Sequence, residues 1–182
     1  MWSRTTIYVY RTLAQLVGLT EGELRRLVRV SFAKVAEYQK RGAVHFHAMI
    51  RLDAATDCGC PACVAPPPGG FTAALLEEAV RQAAATVAMP CPVVDEDQDV
   101  TLTARWGEQL DVRHISEAGD TDDQELSPEQ VAGYVAKYAT KSTEALGVTL
   151  GHRIGEVELE GLDVPAHVAE LVRACWELGG RP

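Results

Sequence analysis

Residues 37–52 read EYQKRGAVHFHAMIRL, and their pattern decides the fold that we predict. Apolar and polar residues alternate on both sides of residues 39–42, whose composition signals a turn, so the stretch predicts a β-hairpin. On its second strand His45 and His47 are two residues apart, and both imidazoles therefore leave the same face. If the last three turn residues form the loop, Glu37 lies opposite His45 and adds a carboxylate to that face.

One carboxylate and two imidazoles on a shared face predict a metal site. Two neutral nitrogens and one anionic oxygen can hold a divalent cation and leave coordination positions open for a substrate oxygen. We therefore predict that Glu37, His45 and His47 are the ligands of one divalent ion. The alternative is a pair of structural histidines, because His-x-His also occurs by chance and a motif is a hypothesis until its context is known.

The composition predicts a single soluble domain. A chain of 182 residues that is 47% apolar and 24% charged is long enough to bury one core. No apolar run reaches the length of a membrane span and the N-terminus lacks a signal-peptide pattern, so we expect a cytoplasmic protein with no membrane partner. The cysteines number 5, and an odd count favours reduced thiols over a disulfide framework.

The net charge of −9 argues against tight non-specific DNA binding by the whole chain, since proteins that bind phosphates generally carry a basic surface. Acidic residues are clustered in residues 95–99 and 117–125. Basic residues are concentrated in residues 25–51, so a local positive face remains.

Periodicity and turn signals predict the elements around the hairpin. Residues 7–10 resemble a strand, but residues 2–17 as a whole keep helical spacing, so we predict a helix that ends at Gly18. Residues 20–23 predict a short turn, whose capping pattern is also compatible with a helix of its own. The remaining predictions are strands over residues 27–38 and 44–52, a loop over 53–70, a helix over 72–87 ended by Pro90 and Pro92, a hairpin of 100–105 with 109–115, an acidic linker over 116–126 and a final helix over 166–178. We expect His114, in that second hairpin, to be a structural residue.

Cys58, Cys60 and Cys63 are close enough in sequence to suggest a zinc site. Structural zinc sites usually combine two separated pairs of ligands, and this loop holds a single cluster. We therefore expect a surface loop with reduced thiols and no zinc at these cysteines.

A second motif lies on a predicted helix that residues 127–130 (SPEQ) open as a capping box. Tyr134, Lys137, Tyr138 and Lys141 follow at i, i+3, i+4 and i+7, which is one face of the helix. A tyrosine hydroxyl is a poor nucleophile because its free pKa is about 10, but an adjacent cation favours the phenolate and a metal-bound phosphate is a better electrophile. The alternative is that the tyrosines pack at the helix edge while the lysines are solvated.

Together the two motifs resemble those of the HUH (His-hydrophobic-His) endonucleases, and within them the two-tyrosine rolling-circle replication initiators of actinobacterial plasmids and integrative elements. His45 and His47 match the metal motif, and Tyr134 and Tyr138 match the paired nucleophiles. Glu37 takes roughly the place of an additional ligand. The resemblance rests on three stretches: VSFAKVAEYQKRGAVHFHA at 30–48, WGEQLDVR at 106–113 and YVAKYATK at 134–141.

This resemblance implies an α+β fold in which helices pack on a central five-stranded antiparallel sheet, related to the ferredoxin-like and RNA-recognition folds. It implies one catalytic domain over residues 1–182 that uses Mg²⁺ or Mn²⁺ to cut one strand of single-stranded or cruciform origin DNA. The tyrosine keeps the 5′ phosphate, and the free 3′ hydroxyl primes rolling-circle replication with a host helicase and polymerase. Because such initiators are longer and carry a strand before the first helix, we expect a fragment whose sheet is incomplete at the N-terminus.

Two other functions use the same residues. A two-tyrosine transposase shares the whole site and differs in its flanks or in the DNA ends that it recognises, whereas a non-catalytic remnant binds DNA or a regulatory partner without cutting. Of the two tyrosines, we predict that Tyr138 initiates, because Lys137 and Lys141 on either side favour its phenolate. The pair would then serve initiation and termination. A different interpretation is one catalytic tyrosine and one packing tyrosine.

Overall fold

The structure, a computed structural model, describes residues 1–38, 44–56, 63–91, 102–115, 128–141 and 155–161, together with residues 164, 166, 169, 170, 172 and 173. Within these ranges the helices are α1 (Trp2–Leu16), α2 (Glu21–Leu27), α3 (Ala73–Thr86), α4 (Pro128–Lys141) and α5 (Glu156–Gly161). The strands are β1 (Val28–Tyr38), β2 (Val44–Ala54), β3 (Ala88–Pro90) and β4 (Thr103–Arg105).

The described strands form two small sheets, and the predicted α+β class is confirmed. Strand β1 pairs with β2, as the sequence predicts, while β3 pairs with β4 in antiparallel orientation and places Met89 opposite Ala104. The five-stranded sheet that the resemblance implies is not formed by these strands, each of which has one neighbour. The predicted turn at residues 39–42, the linker at 116–126 and part of the predicted final helix lie outside the described residues.

The chain divides into two compact units, residues 1–32 with 50–114 and residues 33–49 with 115–182. In the first unit α1 packs against α3. Burying one large aliphatic side chain stabilises a fold by roughly 1.5–3 kcal/mol, so the apolar cluster that α1 and α3 form with α2, β1 and β2 is the main stabilising feature of the unit. The cluster consists of Val9, Leu13, Ala14, Leu24, Val28, Leu52, Ala79 and Ala83.

The predicted helix at the start of the chain is confirmed, and of the two alternatives for residues 20–23 the structure has the capped helix. Helix α1 ends just before Gly18, whose φ of 70° lies in the left-handed region that glycine adopts without steric cost. Helix α2 begins with a capping box, in which the Glu23 backbone N–H donates to Thr20 Oγ1 and the Thr20 backbone N–H donates to the Glu23 carboxylate at 2.8 Å. Hydrogen bonds from the hydroxyl and the backbone of Thr20 lower the pKa of Glu23.

Helix α3 is also confirmed, because the predicted limits, Thr72 and Val87, are its two capping residues. Thr72 caps the helix by accepting a hydrogen bond from the Leu75 backbone N–H at 3.1 Å. The helix ends at Thr86, and Ala88–Pro90 then forms a strand that pairs with β4, which the sequence does not predict. Pro90 lies at the end of that short strand, where the missing N–H of proline is tolerated.

The predicted hairpin of residues 100–105 with 109–115 is wrong. Strand β4 pairs with β3, and residues 109–114 contain no strand. These residues contact α3 and do not pair as a strand. The Leu110 carbonyl accepts a hydrogen bond from Arg81 at 3.2 Å, and His114 Nε2 lies 2.9 Å from the Glu77 carboxylate. His114 therefore has a structural partner, as predicted.

A buried carboxylate joins β1 and β2 within the first unit. The Asp53 side chain is 1% exposed; it accepts hydrogen bonds from Arg51 Nε at 2.6 Å and Ser31 Oγ at 2.5 Å. Arg29 lies 3.5 Å from the same carboxylate and also donates to the Cys63 carbonyl at 3.0 Å. Burial opposes ionisation of Asp53, but the hydrogen bonds from Arg51 and Ser31 outweigh it and hold the pKa of this carboxyl below its usual value.

In the second unit the described elements are the outer ends of β1 and β2 together with α4 and α5. Helix α4 begins at Pro128, which suits a first helical position because its missing N–H is one that the helix leaves unpaired. The predicted cap residue, Ser127, lies outside the described residues. Val131 of α4 and Leu159 of α5 are buried. None of the described helices is long and apolar enough to cross a membrane.

Candidate active site

The outer part of β2 has two different faces. Exposed and half-buried residues alternate from Val44 to Met49, so that Phe46 is exposed while His45 and His47 are both half-buried. A strand turns successive side chains to opposite faces, and the two histidines therefore share the more protected one. This confirms the predicted common face of His45 and His47.

On that face the structure joins a carboxylate to an imidazole. Glu37 Oε2 lies 3.1 Å from His47 Nε2, and the two side chains are 24% and 18% exposed. The sequence predicts Glu37 opposite His45, and the carboxylate in fact reaches the second histidine of the motif. A side chain of this length can contact a diagonal neighbour on the paired strand as well as the residue directly opposite.

Helix α4 brings the second motif to the first. Tyr134 Oη lies 3.1 Å from His47 Nδ1, and the two rings meet edge to face with centroids 5.3 Å apart and an interplanar angle of 76°. The two residues are 87 positions apart in sequence, and both belong to the second unit. Glu37, His47 and Tyr134 thus form a continuous chain of contacts in which each ring nitrogen of His47 has a partner.

The other predicted residues of α4 are placed by its backbone. The helix is continuous from Pro128 to Lys141, so the i, i+3, i+4 and i+7 spacing of the two tyrosines and two lysines holds along it. Lys137 is exposed, and Tyr134 is 46% exposed. The side chains of Tyr138 and Lys141 lie outside what the structure describes, so their predicted roles stay predictions.

The Glu37–His47 pair fits a divalent cation in donor type and in spacing. At metal–ligand bonds of about 2.1 Å, two donors at right angles to each other are about 3.0 Å apart, which is close to the observed 3.1 Å. No three residues among the described Glu, Asp, His and Cys form a group that could hold a metal ion. A pair of donors is still compatible with Mg²⁺, which keeps several waters and takes further oxygens from substrate phosphates.

Most of the segment from Cys58 to Cys63 lies outside the described residues. Cys58 and Cys60 belong to that part of the chain, whereas Cys63 is described and exposed. The backbone carbonyl of Cys63 accepts a hydrogen bond from Arg29. The expectation of a loop without zinc therefore stays a prediction.

One contact beside the site was missed from the sequence. Lys34 Nζ lies 5.5 Å from the centroid of the Phe46 ring, which places an exposed cation on the face of the hairpin opposite the histidines. The alternation of β2 assigns Phe46 to that face, and the basic character of residues 25–51 provides the cation. Which cation it would be is not readable from the strand pattern, because it depends on the register of β1 against β2.

Comparison with known proteins gives a family and one close relative. A family model described as "RepSA: Replication initiator protein, pSAM2" matches residues 1–182. A "Replication initiator protein" of Streptomyces ambofaciens is 47% identical over 176 residues, which are 96% of this chain and 37% of that protein. The chain thus spans less than half the length of the curated relative that it matches. No solved structure matches the chain.

Proposed function

The chain belongs to the replication initiator family, and we propose that it cuts and rejoins one strand of plasmid-origin DNA as a two-tyrosine HUH endonuclease. The observation that carries the proposal is the chain of contacts from Glu37 through His47 to Tyr134. It joins a carboxylate and an imidazole, which are typical metal donors, to a phenol that is a candidate nucleophile. The proposed reaction needs these groups together.

In the proposed reaction the phenolic oxygen of a tyrosine attacks a backbone phosphorus. The new bond is Tyr Oη–P and the bond that breaks is P–O3′. The phenol gives up its proton to the surrounding water, the leaving oxygen takes one up and becomes the 3′ hydroxyl that primes synthesis, and the protons balance. Attack of a 3′ hydroxyl on the phosphotyrosine reverses these changes and rejoins a strand. Splitting the transfer into two steps preserves the energy of the phosphodiester bond in the covalent intermediate.

Glu37 and His47, which are already in contact, would hold Mg²⁺ or Mn²⁺ on the protected face of the hairpin, and the proposal adds His45 of the same face as a third ligand that would have to move toward them. Such an ion polarises the phosphate and stabilises charge that develops on its oxygens. Helix α4 would supply the nucleophiles and a positive charge. Tyr134 is held at the histidine, and Lys137, one turn along and exposed, adds a positive charge to the DNA-binding side of the helix.

The two tyrosines divide the work in this proposal. Tyr138 is one helical turn from Tyr134 and has Lys137 and Lys141 on either side, which favours it as the initiating nucleophile. The contact with His47 supports Tyr134 as a second nucleophile at the same site. The proposal assigns one strand transfer to each, at initiation and at termination.

The replication role is favoured over the alternatives by the family. A two-tyrosine transposase would use the same residues, but both comparisons carry the name replication initiator. We further propose that residues 1–182 act as one catalytic domain in the cytoplasm, on single-stranded or cruciform origin DNA, and that a host helicase and polymerase extend the exposed 3′ end. These partners follow from the proposed reaction, which leaves a primer and a strand to be displaced.

The test is covalent capture of DNA. The chain is incubated with Mn²⁺ and a randomised pool of single-stranded oligonucleotides labelled at the 3′ end, and adducts that survive denaturing electrophoresis are measured. We expect an adduct with the wild type and with Tyr8→Phe, which removes a phenol from α1. The Tyr134→Phe, Tyr138→Phe double variant should form none.

The single variants assign the roles. Loss of the adduct in Tyr138→Phe with retention in Tyr134→Phe supports Tyr138 as the initiating residue, and the opposite result reverses that assignment. An adduct that persists in the double variant overturns the mechanism. Absence of any adduct in the wild type, together with retained DNA binding, favours the non-catalytic remnant.

A further inference from the structure

We infer that Tyr134 has a second role, in which its hydroxyl positions the His47 imidazole for metal binding. This inference rests on the proposed function, because it concerns the ion that Glu37, His45 and His47 would hold. It assigns to Tyr134 a task that is separate from attack on phosphorus and that precedes DNA binding. Tyr134 is in this respect a positioning residue for His47.

The geometry shows why the imidazole needs such a partner. The His47 side chain stands on a strand and can rotate about two bonds, so its two nitrogens can exchange places unless contacts fix the ring. Here Nε2 faces the Glu37 carboxylate at 3.1 Å while Nδ1 faces the Tyr134 hydroxyl at 3.1 Å. The edge-to-face contact of the rings adds a second restraint on the same imidazole.

The orientation determines which nitrogen is available to the ion. Nε2 lies beside the carboxylate that is the other donor, so Nε2 is the nitrogen placed to share a cation with Glu37. A metal-bound imidazole generally donates its second ring N–H to an oxygen acceptor, which fixes the ring and strengthens metal binding. The Tyr134 hydroxyl is the oxygen placed beside Nδ1, and phenylalanine cannot provide it.

The size of the effect follows from the exposure of Tyr134. Removing a partner of this kind typically weakens metal affinity by about 10–100-fold. Tyr134 is 46% exposed, so water can take over part of the contact, and we expect a loss at the lower end, about tenfold. The same exposure means that Tyr134→Phe keeps the ring packing and should fold like the wild type.

The experiment measures Mn²⁺ affinity without DNA, by calorimetry or by the electron paramagnetic resonance signal of free Mn²⁺. It compares the wild type, Tyr134→Phe, and the matched control Tyr8→Phe, which removes a hydroxyl from a ring that contacts Arg11 on α1. We expect Kd to rise about tenfold in Tyr134→Phe and to stay at the wild-type value in Tyr8→Phe. Circular dichroism and the thermal midpoint check that both variants are folded.

Three outcomes separate this inference from the proposed function. If the wild type binds Mn²⁺ and Tyr134→Phe binds it equally well, the positioning role is overturned while the metal site stands. Tighter binding by Tyr134→Phe also overturns it, because the hydroxyl would then compete with the ion for His47. If the wild type binds no Mn²⁺, the proposed metal site fails, and this inference fails with it.

Discussion

Asp53→Asn tests the most strongly buried polar contact of the described structure. The substitution keeps the shape of the side chain and removes its charge. The carboxylate is 1% exposed and lies within hydrogen-bonding distance of Arg51, Ser31 and Arg29. When the carboxylate is removed, the Arg29 guanidinium stays in its largely buried position, 26% exposed, and loses this charged partner.

The magnitude follows from burial. Breaking a fully buried ion pair by removing one partner costs about 3–5 kcal/mol. Arg51 is 60% exposed and regains water when the pair is broken, so we expect a smaller loss, about 2–3 kcal/mol in the free energy of unfolding. For a chain of this length that corresponds to a fall of about 4–12 °C in the thermal midpoint. The control is Asp111→Asn, because Asp111 is 74% exposed and its pair with Arg113 is worth less than about 1 kcal/mol.

The assay is urea unfolding as a function of pH. Because the pKa of Asp53 is lowered in the folded chain, its stabilising contribution is complete above the ordinary Asp value of 3.8 and is lost as the pH falls through the lowered folded value. The difference between wild type and Asp53→Asn should therefore be constant near neutral pH and should shrink in acid. Equal stability of the two proteins at pH 7 would refute the reasoning, as would a difference that grows in acid.

Three further substitutions test other parts of the structure. His45→Ala should abolish Mn²⁺ binding and DNA cleavage in a folded protein, and unchanged affinity by calorimetry would remove His45 from the ligand set. Replacing Cys60 and Cys63 by Ser should leave adduct formation unaltered; stoichiometric zinc in the wild type that disappears in this variant would show that the loop is a zinc site. Thr72→Ala removes the cap of α3 and should lower the free energy of unfolding, measured by chemical denaturation, by about 1 kcal/mol. Thr86→Ala at the other end of the helix should lower it less, and equal losses would contradict the capping role.

The elements that the sequence predicts well are those specified by neighbouring residues. Helix α1 follows from its 3.6-residue spacing and from Gly18, and α2 follows from the capping box of Thr20 and Glu23. The first hairpin follows from alternation over eleven-residue strands. In each case the signal comes from residues that are close together in sequence, so the local pattern and the final structure agree.

The elements that it predicts wrongly depend on distant residues. Strands β3 and β4 have 3 residues each, which is too short for a period to be recognised, and they pair across an intervening segment of the chain. The sequence therefore predicts no strand at Ala88–Pro90, and it predicts a strand over residues 109–115 where the structure has none over 109–114. In that segment His114 contacts Glu77 and the Leu110 carbonyl contacts Arg81, and no local pattern predicts these contacts.

The candidate site likewise contains one feature that the sequence predicts and one that it does not. The common face of His45 and His47 follows from the two-residue period of a strand. The meeting of His47 with Tyr134 does not follow from either motif, because it depends on how α4 packs within the second unit. The sequence linked the two only through their resemblance to a family, whereas the structure shows them 3.1 Å apart.

The central claim is that a tyrosine of α4 becomes joined to DNA at the hairpin site, and mapping the attached nucleotide tests it most directly. The wild-type adduct formed with Mn²⁺ and single-stranded DNA is digested with protease and nuclease and sequenced by mass spectrometry. The account predicts a nucleotide on Tyr134 or Tyr138, within the peptide that covers residues 128–141. A nucleotide on any other residue, or cleavage of the DNA with no residue modified, would contradict it.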